Sequence, residues 1–446
     1  MKPQGWPGIV RLGLVQTALG AIVILTTSTM NRVMVVELAM PATIPGVLVG
    51  LHYAIQMLRP RLGYGSDVGG RRTPWIVGGM AILGAGAVLA ALAIALLPSM
   101  PIGGTLLAVL AFCAIGSGVG ASGTTLLVLL AQRVAEERRP AAATITWMMM
   151  ICGFVVTAAI AGKLLDPYTS VRLVAVTASV AVVAFVITAA AVWGMEGPRA
   201  PSTAGGASAR PTSVPFLTAL AQVWSEPAAR RFTVFVFLSM LAYSLQDLIL
   251  EPYAGLVFGF TPGESTQLAS VQHGGVLLGM ICVALSGSGI GGRILGSMRV
   301  WIVGGCLASA LGLFGLAVSG FIPSWPLRTN VFALGAANGA FAVAAIGSMM
   351  TLAGQGTGHR QGLRMGLWGA SQAIAFGLGG VLGTFATDIA RWLLNSTEIA
   401  YATVFGGEAV LFVVSAAIAA RLALPAARTR IVRRSPPGLL TALARR

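Results

Sequence analysis

The chain has 446 residues, of which 56% are hydrophobic and only 9% are charged, and its formal net charge is +16 at pH 7. Ordinary soluble domains carry about 25% charged residues, so this composition excludes a soluble globular protein. The four cysteines lack zinc-ligand spacing and fall in apolar segments, so we expect neither a metal site nor disulfides.

Twelve apolar segments are each long enough to cross a bilayer, which takes about 20 residues in a helix. Their approximate spans are 12–36, 43–60, 75–98, 104–131, 141–164, 172–194, 232–256, 265–286, 300–322, 328–353, 365–387 and 400–422. With both termini in the cytoplasm, the 29 Lys and Arg residues all fall on the cytoplasmic side except Arg32, Lys163, Arg172, Arg328 and Arg391. The positive-inside rule predicts this asymmetry. The positive charge therefore indicates topology and attraction to anionic lipids, and it requires no nucleic-acid partner.

The two halves of the chain repeat one another. Residues Pro74–Gly79 and, half a chain length later, Val300–Gly305 share the sequence Trp-Ile-Val-Gly-Gly after a short basic loop. We therefore predict an all-α membrane protein of twelve transmembrane helices in two six-helix pseudo-repeats, the plan of the major facilitator superfamily. The predicted parts are an N-terminal bundle over 1–194, a cytoplasmic linker over 195–231 with an interfacial helix at Phe216–Arg231, a C-terminal bundle over 232–422 and a basic cytoplasmic tail over 423–446.

Polar residues lie inside the first predicted helix and inside its counterpart, the seventh. They are Asn31, Arg32, Glu37, Gln246, Asp247 and Glu251. Because ionised groups in a bilayer cost several kcal/mol unless paired, we predict an inter-bundle polar cluster in which Arg32 pairs with Asp247 or Glu251. The cluster is either a structural clasp or a site for a ligand or proton. Apart from Glu408, the other predicted helices carry almost no carboxylates in the membrane. This scarcity argues against energised transport.

The loop after the second predicted helix resembles the loop motif of the major facilitator superfamily, in which glycines allow a tight turn and basic residues follow an acidic one. The matching residues are Gly63, Asp67, Gly70, Arg71 and Arg72. Val68 stands where that family has Arg or Lys. The equivalent loop of the second half retains only Gly291 and Arg293, which puts the rocking movement of a transporter in doubt.

Longer polar patterns in both halves resemble the PucC/LhaA family, also called the bacteriochlorophyll-delivery family. The matching segments are Asn31–Leu38 in the first helix, Gln246–Tyr253 in the seventh, Arg364–Gly377 in the eleventh and Glu137–Pro140 before the fifth. The resemblance implies a non-enzymatic factor of the bacterial inner (intracytoplasmic photosynthetic) membrane. Such a factor assists assembly of light-harvesting complex 1 or 2 and delivers bacteriochlorophyll, bound transiently, to antenna α and β polypeptides. Pigment-synthesis enzymes are further partners that it implies.

Two histidines and two tryptophans occupy equivalent membrane positions in the repeat, and all four are candidate pigment-binding residues: His52, His273, Trp147 and Trp368. A neutral imidazole can bind the central magnesium of a chlorin through one ring nitrogen. The alternative is a histidine that bonds a backbone carbonyl or a neighbouring helix. Likewise, the tryptophans either line a groove beside the macrocycle or pack in the core.

Small residues spaced four apart recur in the fourth and eleventh helices, at Gly116, Gly120, Gly379 and Gly383. This spacing allows two helices to approach closely in lipid. Close packing is one interpretation, and a pigment lying against the glycine face is the other.

Two other classes of function are open. A secondary transporter of a small solute or a tetrapyrrole-like molecule would need alternating access and a central polar site. An enzyme of pigment synthesis would need reactive groups, yet the sequence contains no nucleotide-binding loop, metal-ligand cluster or nucleophile–base pair.

Overall fold

The computed structural model describes residues 5–57, 71–135, 138–196, 224–286, 297–355 and 361–422. Within these ranges every regular element is a helix. The helices are α1 Trp6–Glu37, α2 Thr43–Gln56, α3 Thr73–Leu96, α4 Pro101–Arg133, α5 Arg139–Leu164, α6 Ser170–Val192, α7 Pro227–Phe258, α8 Pro262–Leu285, α9 Met298–Ser319, α10 Leu327–Gln355, α11 Gln361–Leu394 and α12 Thr397–Ala420. Eleven of these are long and apolar enough to span a membrane. The other, α2, has 14 residues and precedes a segment outside the described ranges.

Each predicted span overlaps one of these helices, so the prediction of an all-helical, multi-pass membrane protein is confirmed. Several boundaries differ from the predicted ones, and one of these differences concerns the predicted interfacial helix. Helix α7 begins at Pro227, so Arg230 and Arg231 lie in its first turns and not on a separate surface helix. Residues 197–223 of the predicted linker, the tail over 423–446 and the motif residues Gly63, Asp67 and Gly70 lie outside the described residues.

Local sequence explains where several helices begin. Proline stands in the first turn of α1, α3, α4, α7 and α8, where its missing N–H costs nothing because no partner in the helix would accept from it. Helix α8 also begins with a capping box, in which Thr261 accepts from the N–H of Glu264 and the Glu264 carboxylate accepts from the N–H of Thr261.

Buried apolar side chains form two main cores, each drawn almost entirely from one half of the chain. In the first half α3 packs on α4 and α6, and α1 packs on α5 and α6. In the second half α9 packs on α10 and α12, and α7 packs on α11 and α12. The same neighbours therefore recur in both halves. Between the halves, α5 packs on α8 and α2 packs on α11.

Successive helices cross in alternate directions, so every second loop lies at the same end of the bundles. At one end these loops are brief, and we call that end the short-loop face. Its loops are residues 38–42, 97–100, 165–169, 259–261, 320–326 and 395–396.

Candidate functional site

The backbone is irregular where α1 meets α7. Helix α1 contains two π-helical turns, Leu25–Thr29 and Val33–Glu37, and α7 is interrupted at Leu248 and Ile249. π-turns recur at functional sites, and a helix break leaves backbone groups that need partners. Here the side-chain N–H of Asn31 donates to the carbonyl of Leu248 at 2.6 Å. The two irregular segments therefore face each other and are bonded across the two halves.

Arg32 lies between the two π-turns and is 2% exposed. Its guanidinium forms an ion pair with Glu37 and donates to the carbonyl of Phe260 at 2.5 Å and, at 3.4 Å, to the hydroxyl of Ser265. Gly255 makes room for it, because a Cβ there would lie 3.0 Å from Arg32 Nη2. Arg32 therefore joins the two halves through a carbonyl and a hydroxyl.

The prediction that Arg32 pairs with Asp247 or Glu251 is wrong, since its ion-pair partner in the described part of the chain is Glu37. Glu37 follows Arg32 by five residues, which in a regular α-helix places two side chains about 140° apart. In a π-turn the backbone hydrogen bonds join residues five apart, so the side chains of Arg32 and Glu37 lie on nearly the same side of the helix. Glu251 nevertheless lies close enough to Arg32 for their charges to interact.

Three carboxylates lie inside the helices of the second half, and in the described residues two of them, Glu251 and Glu408, have no hydrogen-bond partner. Glu251 and Glu408 are 3% and 2% exposed, and none of their carboxylate oxygens has a partner within the described ranges. Asp247 lies close enough to Glu408 to interact with it. Gln246 is fully buried, and both atoms of its amide group are unsatisfied. Unpaired polar groups in a dry interior are costly, so this cluster is a candidate functional site.

The two candidate histidines differ in their hydrogen bonds. His273 in α8 is half-buried, and its Nδ1 lies 2.9 Å from the carbonyl of Ala269. A carbonyl can only accept, so the ring proton is on Nδ1 and the Nε2 lone pair points elsewhere. His52 in α2 is buried, and its Nε2 lies 2.7 Å from the side-chain amide nitrogen of Gln56, which occupies that lone pair. Gln56 follows His52 by four residues. Leu277 follows His273 by the same number, and its side chain cannot form a hydrogen bond to the imidazole.

Apolar side chains surround His273 where α5 packs on α8. The ring of Phe154 makes an edge contact with the imidazole, the two centroids lying 4.9 Å apart. A small third core lies at the same interface, separate from the two main ones. It consists of Ile151, Val276 and Met280, packed against Met148, Met150, Phe154, Leu277 and Val343.

The two tryptophans also differ. Trp368 is 1% exposed and packs against the ring of Phe232 with centroids 4.9 Å apart, so it belongs to the C-terminal core. Trp147 is 39% exposed on α5. Of the two interpretations left by the sequence, core packing applies to Trp368, and only Trp147 is accessible from outside.

Of the loop motif, Arg71 and Arg72 lie in the described residues, just before α3. The carboxylate of Glu196, at the end of α6, accepts from the backbone N–H groups of Arg72 and Thr73, the latter at 2.9 Å. Partial burial acts to raise the pKa of Glu196, but these hydrogen bonds and the nearby Arg71 charge outweigh it and hold the pKa below its usual value of 4.5. Glu196 thus caps α3 and ties it to α6.

Two further aspartates, which sequence reasoning missed, join the halves at the short-loop face. Asp388 in α11 accepts from the backbone N–H groups of Ala42 and Thr43 at the start of α2. Asp166, after α5, accepts from the hydroxyl of Thr261 and the N–H of Gly263 at the start of α8. We call these the two carboxylate clasps. The signal was their equivalent position in the repeat, since Asp166 follows α5 and Asp388 lies in the last part of α11, and both of these helices pack across the interface.

Within the described ranges, no group of three or more His, Cys, Asp and Glu side chains is arranged to hold a metal ion.

Known sequences match almost the whole chain. A family model described as PUCC protein matches residues 29–427. A Rhodobacter capsulatus protein named Bacteriochlorophyll synthase 44.5 kDa chain is 51% identical over 415 residues, which cover 93% of this chain and 95% of that protein. Protein PucC of Rhodobacter capsulatus is 30% identical over 437 residues, which cover 93% of this chain and 92% of that protein.

Solved structures share the fold at low sequence identity. A bacterial homologue of the human lysosomal transporter Spinster, inward-facing and unoccupied, gives a TM-score of 0.67 at 17% identity, covering 93% of this chain and 97% of that chain. A D-xylose-proton symporter gives 0.69 at 12% identity, covering 94% of this chain and 98% of that chain. The predicted major facilitator fold is confirmed by this likeness, which concerns the fold alone.

Proposed function

Because the chain belongs to the PUCC protein family, we propose that it is an assembly factor for bacterial light-harvesting antenna complexes that delivers bacteriochlorophyll to antenna α and β polypeptides. It would act in the bacterial inner membrane with both termini in the cytoplasm. The name of its 51% identical relative, which refers to bacteriochlorophyll, supports a role close to this pigment. In this proposal the chain binds and hands over pigment and catalyses no step of its synthesis.

The observation that carries the pigment proposal is the state of His273. Its proton is fixed on Nδ1 by the carbonyl of Ala269, which leaves the Nε2 lone pair for a metal. Metal-ligating histidines commonly have this arrangement, because the bond at the other nitrogen fixes tautomer and ring orientation. Bound bacteriochlorophyll would supply a magnesium ion, and His273 is the residue that would hold it.

The surroundings of His273 fit a macrocycle better than those of His52. The small core beside His273 is apolar and contains three methionines, Met148, Met150 and Met280, whose flexible side chains adapt to irregular surfaces. His52 has its Nε2 engaged with Gln56 and lies fully within the protein. We therefore assign the pigment-binding role to His273, with Phe154 at its edge, and a structural role to His52.

The experiment is purification of the protein in mild detergent from a pigment-producing host, followed by its absorption spectrum and identification of bound polypeptides. We expect bacteriochlorophyll and antenna subunits to co-purify. His273→Leu should reduce the bound pigment at least about tenfold, while the matched change at the repeat-equivalent position, His52→Leu, should leave the pigment per folded protein unchanged. Absence of both pigment and antenna subunits from the unsubstituted protein would overturn the proposal.

Deletion of the gene in the same host distinguishes pigment delivery from pigment synthesis. Deletion of a delivery factor should abolish antenna assembly while extracts still make bacteriochlorophyll, whereas deletion of a synthesis enzyme should abolish pigment formation in those extracts. The transporter alternative rests on Glu251 and Glu408, which are buried, and on the half-buried Asp247, since a proton-coupled site requires carboxylates within the membrane. Solute uptake into proteoliposomes driven by a proton gradient would favour it.

A further inference from the structure

A cavity of about 540 Å³ opens at the short-loop face, between the loop that precedes α2 and the end of α11. Its walls are mixed in character. On one side lie Ala39, Met40 and Pro41, and on the other lie Asp388, Arg391, Trp392, Asn395, Ser396 and Thr397. Neither the polar residues of α1 and α7 nor His273 line this cavity, and the proposed function makes no use of it.

Arg391 places a guanidinium in the wall of the cavity. Its guanidinium forms no hydrogen bond and no ion pair within the described ranges. Asp388, in the same wall, directs its two carboxylate oxygens to Ala42 and Thr43 at the start of α2 and forms no ion pair with Arg391. The charge of Asp388 is thereby directed at a helix N-terminus, and Arg391 is left to face the cavity.

Apolar and aromatic surface continues from the cavity along the outer side of α11. Trp392 is 77% exposed beside Arg391, and an indole at the end of a membrane helix prefers the level of the lipid headgroups. Exposed apolar side chains of the same helix lie near it: Phe385, Ile389 and Leu393. A ligand of this cavity would thus meet a cation at its head and an apolar surface along its tail.

The backbone around the cavity is strained. In the described part of the chain only two residues other than glycine have a left-handed backbone, Ala39 with φ 50° and Asn395 with φ 48°, and both line this cavity. Asparagine tolerates this conformation, whereas alanine rarely adopts it. Strain of this kind concentrates at binding sites and switch regions.

The duplication does not explain the cavity. The equivalent helix of the first half, α5, ends at Leu164, before its aspartate Asp166, whereas α11 continues past Asp388 to Leu394. The added turns carry Arg391 and Trp392. The first half therefore has no counterpart of this cation and indole, which makes the cavity a specific feature of the second half.

We propose that this cavity binds the phosphate of an anionic phospholipid headgroup. Arg391 binds the phosphate, the hydroxyl of Thr397 and the amide of Asn395 supply further hydrogen-bonding groups, Trp392 lies at headgroup level, and the acyl chains run along α11. An arginine guanidinium suits this role because its fork of N–H groups matches the phosphate oxygens. Free phosphate shares the headgroup chemistry but lacks the tail that these apolar side chains of α11 would hold.

The test measures retained lipid. The full-length protein, purified in detergent and stripped of endogenous lipid, is incubated with phosphatidylglycerol, phosphatidylcholine or inorganic phosphate, and the bound molecules are counted by native mass spectrometry. We expect retention of phosphatidylglycerol in preference to the other two. Arg391→Gln should lower its affinity about tenfold, since hydrogen bonds to charged groups have this strength.

The matched control is Arg172→Gln at the same face, because Arg172 does not line the cavity and its guanidinium donates to the carbonyl of Pro167. This variant should retain phosphatidylglycerol as the unsubstituted protein does. Trp392→Ala is a second variant, expected to weaken phosphatidylglycerol binding while leaving the fold intact, since the indole is largely exposed. Equal retention of phosphatidylglycerol and phosphatidylcholine, retention of free phosphate alone, or an Arg391→Gln protein that binds as before would each overturn the proposal.

Discussion

Asp388 of α11 accepts hydrogen bonds from both the backbone N–H and the hydroxyl of Thr43 in α2, at 2.8 and 2.7 Å. The carboxylate of one half thus caps a helix that belongs to the other half. Asp166 does the same in the opposite sense, since it follows α5 and caps α8. Because each clasp combines hydrogen bonds with the favourable interaction of a negative charge and a helix N-terminus, the pair fastens the two bundles at the short-loop face.

Loss of one clasp should destabilise the protein measurably. We expect Asp388→Ala to lower the free energy of unfolding in detergent by about 1–3 kcal/mol, because the first N–H groups of α2 lose their acceptor. Asp388→Asn should cost less, since an amide oxygen still accepts. The control is Glu398→Gln on the same face, where the carboxylate is exposed. A free energy equal for Asp388→Ala and Glu398→Gln would show that the clasp does not contribute.

Close helix packing predicts opposite results for two glycines. An added Cβ at Gly383 in α11 would lie 2.4 Å from the carbonyl oxygen of Leu245 in α7, whereas a Cβ at Gly407 in α12 would meet nothing within 4 Å. Gly383→Ala should therefore lower the free energy of unfolding by about 1–3 kcal/mol. Gly407→Ala should leave it unchanged or raise it by up to about 1 kcal/mol through better helix propensity. Thermal unfolding of both variants in the same detergent compares them directly.

The helices could be predicted from the sequence because hydropathy and charge asymmetry act over whole segments, and small local irregularities do not disturb them. The duplication predicted that helix neighbours would recur in both halves, which they do. Symmetry failed at the level of single side chains. His52 and His273 hold equivalent positions, yet Gln56 bonds the first and Leu277 cannot bond the second. That difference was visible in the sequence, four residues after each histidine.

Other features depended on backbone geometry and tertiary contacts that hydropathy does not encode. The partner of Arg32 was mispredicted because an α-helical spacing separates it from Glu37, whereas a π-turn brings the two together. Predicting the two carboxylate clasps would have required knowing which helix ends meet across the interface between the halves. The positions of Asp166 and Asp388 were readable in the repeat, but the helix N-termini that they cap were not.

Glu196 predicts a pH dependence. Its pKa in the folded protein is held below the usual value of 4.5 by hydrogen bonds from Thr73 and Arg72, despite partial burial. A lowered pKa means that this contribution to stability is fully present above pH 4.5 and is lost as the pH falls through the folded-state pKa. Melting temperatures measured from pH 7 to pH 3 should therefore show an acid-induced decline that is shallower in Glu196→Gln. Identical pH profiles for the two proteins would contradict the predicted role.

Arg32 should couple two carboxylates that belong to different halves of the chain. Glu37 forms the ion pair, and Glu251 lies within range of the same charge while its own oxygens lack hydrogen-bond partners within the described residues. In Glu37→Gln the charge of Arg32 can still be balanced by Glu251, and in Glu251→Gln it is still balanced by Glu37. We therefore expect each single substitution to have a modest effect on the free energy of unfolding.

The double variant Glu37→Gln/Glu251→Gln should lower the free energy of unfolding by about 3–5 kcal/mol, because it leaves a buried guanidinium with neither carboxylate. This loss should exceed the sum of the losses in the two single variants. The control repeats the cycle in an Arg32→Met background, where no buried charge remains and the effects should add. Coupling of this kind requires that both carboxylates interact with one arginine. If the changes in the free energy of unfolding were strictly additive with Arg32 present, Arg32 and Glu37 would form an isolated pair within α1. If the coupling between Glu37 and Glu251 disappears in the Arg32→Met background, Arg32 is the group that links these two carboxylates across the two halves.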